Sequence, residues 1–153
     1  MTPTLPIPGG CNCGEVRYRL TGQPLTCYVC HCHLCQKRTG SAFSMQLVIP
    51  GDALEFTAGE PKPTERRLAS GQRHTSRICP SCWSRISTRR EGAPVVILRA
   101  GTLDDTAWLR PVAQIWTSSA LPWALLPDDV LSYAEQPADF GPMVAAWSER
   151  PAT

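Results

Sequence analysis

Seven of the eight cysteines in this 153-residue chain fall into three tight groups: Cys11 with Cys13, Cys30 with Cys32 and Cys35, and Cys79 with Cys82. Spacing of this kind fits metal ligation better than disulfide pairing. In a strand, side chains alternate faces, so Cys-x-Cys presents both sulfurs on one side. Cys-x-x-Cys does the same across a tight turn. Zinc takes thiolates at roughly 2.3 Å, four at a time in closed sites and three at a time where a position stays open. Seven sulfurs divide into four plus three, and spacing alone leaves two partitions open. One is Cys11, Cys13, Cys79 and Cys82 with Cys30, Cys32 and Cys35. The other is Cys11, Cys13, Cys30 and Cys32 with Cys35, Cys79 and Cys82. We therefore expect zinc, two ions per chain, one structural and one labile in an open site. If the first partition holds, the N-terminal strand must lie against the Cys79 turn, and metal binding is part of the folding free energy.

Eight cysteines would also suffice for four disulfides. The chain opens Met-Thr-Pro-Thr-Leu-Pro-Ile-Pro, without the basic stretch and apolar run of an export signal, so we expect a cytoplasmic protein whose thiols stay reduced. Cys11 and Cys13, one residue apart, would in any case close a strained ring.

With 42% hydrophobic residues and no apolar run near the roughly 20 that cross a bilayer, we expect one globular domain and no membrane partner. The net charge is +2, and Arg17, Arg19, Arg66, Arg67, Arg89 and Arg90 lie scattered in pairs, which gives no stripe for nucleic acid. The 13 arginines face only Lys37 and Lys62. Guanidinium forks match carboxylates, although genomic base composition explains the ratio more simply.

Short strands separated by turns run through the chain. Val16, Tyr18 and Leu20 alternate with Glu15, Arg17 and Arg19, and Phe43, Met45, Leu47 and Ile49 alternate with Ser44, Gln46 and Val48. Both predict half-buried strands. Further strands are expected at Leu54 to Thr57, Thr64 to Leu68, His74 to Ile78, Ile86 to Thr88, Val95 to Ala100 and Gln114 to Trp116, punctuated by glycines. Fifteen prolines disfavour long helices. Two short ones are expected, Cys35 to Thr39 capped by Gly40, and Pro142 to Trp147 with its proline in the first turn. Residues 1–8 read as a flexible tail, 9–137 as the metal-binding domain, and 138–153 as an extension with a short helix and tail.

Four segments carry a resemblance. Gly10-Cys11-Asn12-Cys13-Gly14-Glu15-Val16, Cys30-His31-Cys32-His33-Leu34-Cys35-Gln36-Lys37, Cys79-Pro80-Ser81-Cys82 and Gly101-Thr102-Leu103-Asp104-Asp105 resemble, in order, the motifs of the glutathione-dependent formaldehyde-activating enzyme and centromere protein V family. Ile115-Trp116-Thr117 and Pro122-Trp123 add weaker support. The resemblance implies a mainly β, Mss4-like fold of several coiled antiparallel sheets stapled by zinc, with few short helices. It also implies a structural zinc on Cys11, Cys13, Cys79 and Cys82 and a catalytic zinc on Cys30, Cys32 and Cys35. The implied activity is that of a carbon–sulfur lyase joining glutathione, or a similar thiol, to formaldehyde as S-hydroxymethylglutathione. Three thiolates already outweigh the charge of the ion, so such a site suits delivery of a soft sulfur nucleophile better than polarisation of a carbonyl.

The chain departs from the family pattern at Trp83, where a Gly is usual; we expect a negative-φ backbone there or a remodelled turn. Cys27 forms another Cys-x-x-Cys with Cys30. If residues 26–32 run as a strand, Cys27 faces away from Cys30 and Cys32 and packs as a small apolar residue. His31 and His33 sit between ligands, where an imidazole can ligate metal or shuttle protons, but the same alternation favours structural roles. His74 has no partner visible in sequence. Trp116 and Trp123 suit either core packing or the wall of a cleft. A second hypothesis stands beside the lyase: a non-enzymatic zinc-binding scaffold, its second site closed by Cys27 or left empty.

Overall fold

The computed structural model describes residues 3–150. Among them the chain is mainly β, with two α-helices, α1 (His33–Thr39) and α2 (Gly141–Glu149). The strands are β1 (Ile7–Gly10), β2 (Arg17–Leu20), β3 (Thr26–Cys30), β4 (Ser44–Pro50), β5 (Leu54–Ala58), β6 (Lys62–Arg67), β7 (Arg73–Ile78), β8 (Arg85–Arg90), β9 (Val95–Arg99), β10 (Ala113–Ile115) and β11 (Leu131–Tyr133). They form two sheets, a small one in the order β1-β2-β5 and a large one in the order β11-β10-β3-β4-β9-β8-β7-β6. Among the described residues no helix is long and apolar enough to cross a membrane.

Period-two alternation explains how two cores flank one sheet. In β4, Leu47 and Ile49 join Tyr18 and Leu20 of the small sheet, together with Ile86 and Leu98. The intervening Val48 joins Tyr28, Cys30, Ala113, Ile115 and Met143 in the second core. The sequence predicted β4 to be half-buried; instead Ser44, Gln46 and Val48 are buried as well. The physical reason is its central position between β3 and β9 with a layer on each face. Strand β2 does behave as expected, with Val16, Tyr18 and Leu20 buried and Arg19 exposed. At the far edge, β6 carries Lys62, Pro63, Arg66 and Arg67, largely exposed, a composition that discourages pairing with another chain.

The sheet is mixed: β10 runs parallel to both β3 and β11. Strands β1 and β11 escaped the sequence pattern, β1 because Ile7-Pro8-Gly9-Gly10 is half glycine, β11 because three residues show no period. Residues 7 and 8, expected in the tail, thus belong to the sheet. Residues 1–2 and 151–153 of the expected tails lie outside the described residues. Gly9 is required by packing, since a Cβ there would lie 2.4 Å from the Tyr18 ring and 2.7 Å from the Thr102 carbonyl oxygen. This close approach docks the Gly101-Thr102-Leu103-Asp104-Asp105 segment on the small sheet. Tyr18 Oη lies 2.7 Å from Thr102 Oγ1, and Arg17 pairs with Asp104.

Both helices form where local signals placed them. Gly40 caps α1 at φ 64°, and Pro142 lies in the first turn of α2. Helix α2 is continuous with the core: Met143 is fully buried, Thr26 Oγ1 donates to the Met143 carbonyl at 2.9 Å, and Trp147 Nε1 donates to the Pro24 carbonyl at 3.0 Å.

Candidate functional site

The fold gathers the seven clustered cysteines into two sets, Cys11, Cys13, Cys79 and Cys82, and Cys30, Cys32 and Cys35, the sulfurs of each lying within 4.8 Å of one another. Either set could hold a metal ion. Cys11 and Cys13 lie in the β1–β2 turn rather than in a strand, and Cys79 and Cys82 in the β7–β8 turn. Within each turn the backbone curls round a sulfur. Val16 N–H donates to Cys11 Sγ at 3.2 Å and Cys82 N–H to Cys79 Sγ at 3.5 Å. The turns meet through Asn12 N–H donating to Ser84 Oγ at 3.1 Å and through Ser81 Oγ donating to Glu15. Sulfur separations of 3.5 Å (Cys11 to Cys13) and 3.7 Å (Cys13 to Cys79) match the edge of roughly 3.8 Å that four thiolates at about 2.3 Å from one ion would share. The Ser84 hydroxyl, with its backbone N–H, holds the Cys82 thiol down at about 5.

Trp83 follows this turn at φ +62°, which corrects the expectation of a negative-φ backbone. The turn is unremodelled: Trp83 N–H donates to the Cys79 carbonyl at 3.1 Å, and Cys79 N–H to the Ser84 carbonyl at 2.9 Å, and closing both bonds requires the left-handed residue. Trp83 is 66% exposed, so its ring offers little burial to offset the strain. We expect Trp83→Gly to stabilise the protein by about 1 kcal/mol, the left-handed penalty less the extra chain entropy of glycine. The check is a raised denaturant midpoint at unchanged m-value.

The second set is built differently. β3 ends at Cys30, His31 N–H bonds to the Ile115 carbonyl at 3.0 Å, and Cys32 becomes the N-cap of α1, its sulfur accepting from Cys35 N–H at 3.4 Å. Cys32 is therefore not a strand residue, and the alternation used to place His31 and His33 ends at Cys30. His31 is fully buried, with Nε2 3.3 Å from Gln114 Oε1 and its ring edge-on to Phe43. His33 is exposed on the first turn of α1. Gln36 ties the loop down, its Nε2 donating to the His31 carbonyl at 2.7 Å and the Ser119 carbonyl at 2.9 Å.

Hydrogen bonds from the Cys30 and Cys35 thiols, then the amides at the start of α1, hold the Cys32 thiol far below the usual range, at about 2. The same contacts and burial push Cys30 up. The lowered member, Cys32, sits at a helix N-terminus, which favours negative charge.

Polar residues that alternation had assigned to solvent support this set. Gln46 lies opposite Tyr28 in the β3–β4 register, and Ser44 opposite Cys30. Tyr28 Oη donates to Gln46 Oε1 at 2.8 Å, which turns the Gln46 amide so that Nε2 donates to Cys35 Sγ at 3.4 Å. The only sequence signal for Gln46 was a polar residue inside an apolar strand.

Cys27 belongs to neither set. It points from β3 into the core shared with the small sheet, whereas Cys30 points into the other core, as alternation predicted. Burial pushes its thiol up to about 12. No disulfide joins any of the eight cysteines. His74 sits on β7 with Nε2 buried and unpartnered. Trp116 packs at the edge of the second core with φ +60°. Trp123 is 78% exposed.

Beside the second set lies a cavity of about 360 Å³ that includes Arg38, Thr39, Phe43, Ser44 and Arg99 in its wall. Thr39 Oγ1 donates to the Cys35 carbonyl at 2.9 Å, and the Ser84 hydroxyl, from the same wall, lies 3.2 Å from Cys82 Sγ, so wall residues of the cavity contact both sulfur sets.

Comparison with known proteins matches residues 6–119 to the family described as glutathione-dependent formaldehyde-activating enzyme. No curated protein matches the chain. Among solved structures, a Rhodobacter sphaeroides protein has the same fold at a TM-score of 0.51 and 15% identity, covering 83% of this chain and 99% of its own.

Proposed function

The chain belongs to the glutathione-dependent formaldehyde-activating enzyme family, and on that premise we propose that it is a zinc-dependent carbon–sulfur lyase joining formaldehyde to a thiol such as glutathione. The observation that carries this reading is the three-sulfur set with no fourth cysteine beside it. Cys27, the residue that would close the site in a scaffold, is buried in the opposite core.

Cys11, Cys13, Cys79 and Cys82 would hold a structural zinc, and Cys30, Cys32 and Cys35 a labile, catalytic one. The donor chemistry fits, since both sets are all-thiol and hydrogen bonds from its neighbours lower the Cys32 thiol. A zinc ion with three protein ligands supplies, when bound, an open position at which an incoming thiol loses its proton near neutral pH. The protein's own residues do the rest. The N-cap geometry fixes Cys32, the Tyr28–Gln46 pair fixes Cys35, and the neighbouring cavity admits the remainder of the thiol molecule. In the reaction the thiol sulfur forms a bond to the formaldehyde carbon. The carbonyl π pair moves to oxygen, which takes up the proton the thiol released, so that RSH and CH₂O give RSCH₂OH with no change of oxidation state. All eight cysteines being free thiols suits a reducing compartment, and we place the protein in the cytoplasm.

The test is magnetisation-exchange NMR on mixtures of formaldehyde with glutathione and with other small thiols. The zinc-loaded chain should speed formation of the S-hydroxymethyl adduct above the uncatalysed rate. If it does so with no thiol, the scaffold reading replaces the lyase. Cys27→Ala gives a second check. It should leave the metal content at two ions per chain and cost about 1 kcal/mol, the loss of one small buried group.

A further inference from the structure

Three guanidinium groups from three different elements converge on the cavity beside the second sulfur set. Arg38 lies on α1 one turn beyond Cys35, Arg85 opens β8 and Arg99 ends β9. The register explains their meeting. Arg99 lies opposite Gln46, and its Nη1 donates to Ser44 Oγ at 2.8 Å, Ser44 being the residue opposite Cys30. Arg85 reaches Ser76 Oγ. No acidic residue lines the cavity. The ion pairs among the described residues join Arg17 to Asp104, Arg19 to Glu55 and Arg73 to Glu65 and Glu91; none involves these three. Burial, followed by the charges of Arg38 and Arg99, lowers Arg85 to about 10, and burial, followed by Arg66 and Arg99, lowers Arg38. A fold that gathers three half-buried guanidinium groups with no carboxylate beside them, and only the sulfur set as counter-charge, bears a cost of mutual repulsion that a bound anion lowers.

We propose that this cavity is the carboxylate subsite of the reaction, with Arg38, Arg85 and Arg99 receiving the carboxylate of the thiol substrate while its sulfur reaches the set of Cys30, Cys32 and Cys35. The inference rests on the lyase reading and names its substrate class: thiols that carry a carboxylate, in preference to neutral thiols. Guanidinium forks match a carboxylate in two hydrogen bonds at once. A volume of about 360 Å³ lies within the range of small-molecule sites, about 300–1,000 Å³. Thr39, in the cavity wall, bonds to the Cys35 carbonyl, so a molecule anchored here lies against the turn of α1 that carries Cys35. The arginines act as positioning residues, setting where the sulfur sits without touching the reacting carbon.

The experiment separates this subsite from the reaction. S-methylglutathione, which has both carboxylates but no free thiol, is titrated into the zinc-loaded full chain by calorimetry. Saturable binding is expected, weakened about tenfold or more by Arg99→Gln, by Arg85→Gln and by esterifying both carboxylates of the probe. Arg99→Lys should retain part of the affinity, and Arg19→Gln, paired with Glu55 on the small sheet, all of it. Should either of these variants fail to fold, Arg38→Gln at the end of α1 serves in its place. No saturable binding, a diester that binds equally well, or affinity unmoved by every arginine variant overturns the subsite. Binding that follows this pattern without accelerated adduct formation leaves the subsite standing and removes the lyase. Acceleration equal for glutathione and 2-mercaptoethanol, with KM indifferent to the arginines, keeps the lyase and removes the subsite.

Discussion

Substitution of Cys79 by Ser is expected to leave the chain unfolded or aggregated. Cys79 is fully buried, and its sulfur lies 3.7 Å from that of Cys13, so the set it belongs to joins the β1–β2 turn of the small sheet to the β7–β8 turn of the large one. A structural zinc contributes about 10–16 kcal/mol in zinc-finger peptides, whereas a whole domain is stable by only about 5–15 kcal/mol. Losing one of four thiolates therefore threatens the entire margin. The other links between the two turns, the Asn12 to Ser84 and Ser81 to Glu15 hydrogen bonds, are exposed, and each is worth about 1 kcal/mol. The measurement is soluble yield with zinc content and thermal unfolding of whatever remains soluble. A chelator strong enough to strip the wild type should reproduce the effect. A Cys79→Ser protein that stays soluble, carries two zinc ions and unfolds cooperatively near the wild-type temperature would sink the structural assignment.

The cysteine groups were legible because their ligand spacing is local, and so were the two helices, whose boundaries are set by Gly40 and Pro142 within a turn of each end. The opposite facing of Cys27 and Cys30 followed from alternation alone, because β3 is regular from Thr26 to Cys30. Where layers meet, the same rule failed. Ser44 and Gln46 read as the wet side of β4 and proved to be the dry floor under the second sulfur set, since alternation tells which residues share a face but not what covers it. The strain at Trp83 was hidden for a related reason: the φ of +62° is imposed by two hydrogen bonds across the turn, and nothing in the side chain announces it. The arginine cluster was the least visible feature. Arg38, Arg85 and Arg99 are far apart in the chain, and only the order α1, β4, β9, β8 brings them to one cavity. The composition registered an excess of arginine without a place for it.

Cys32→Ser is expected to abolish enzyme-dependent adduct formation while leaving the fold intact. The two halves of this prediction rest on different properties of one atom. As the N-cap of α1, Cys32 accepts a hydrogen bond from Cys35 N–H through its side chain, and serine is among the best residues for that position. The helix should therefore form as well or better, and the melting temperature should stay within about 4 °C of wild type, the shift made by roughly 1 kcal/mol in a domain of this size. As a sulfur, Cys32 is the member of its set whose thiol is lowered, by the Cys30 and Cys35 thiols and then by the helix amides. A serine hydroxyl ionises far too weakly to take that charge, so the set drops to two thiolates and the metal content should fall from two ions per chain to one. Zinc content, melting temperature and exchange rate on the same sample distinguish the outcomes. Two ions with exchange at the wild-type rate would place the reaction away from Cys30, Cys32 and Cys35. A collapsed melting temperature would show that the second set, like the first, holds the fold together, and the division into one structural and one reactive centre would then fail.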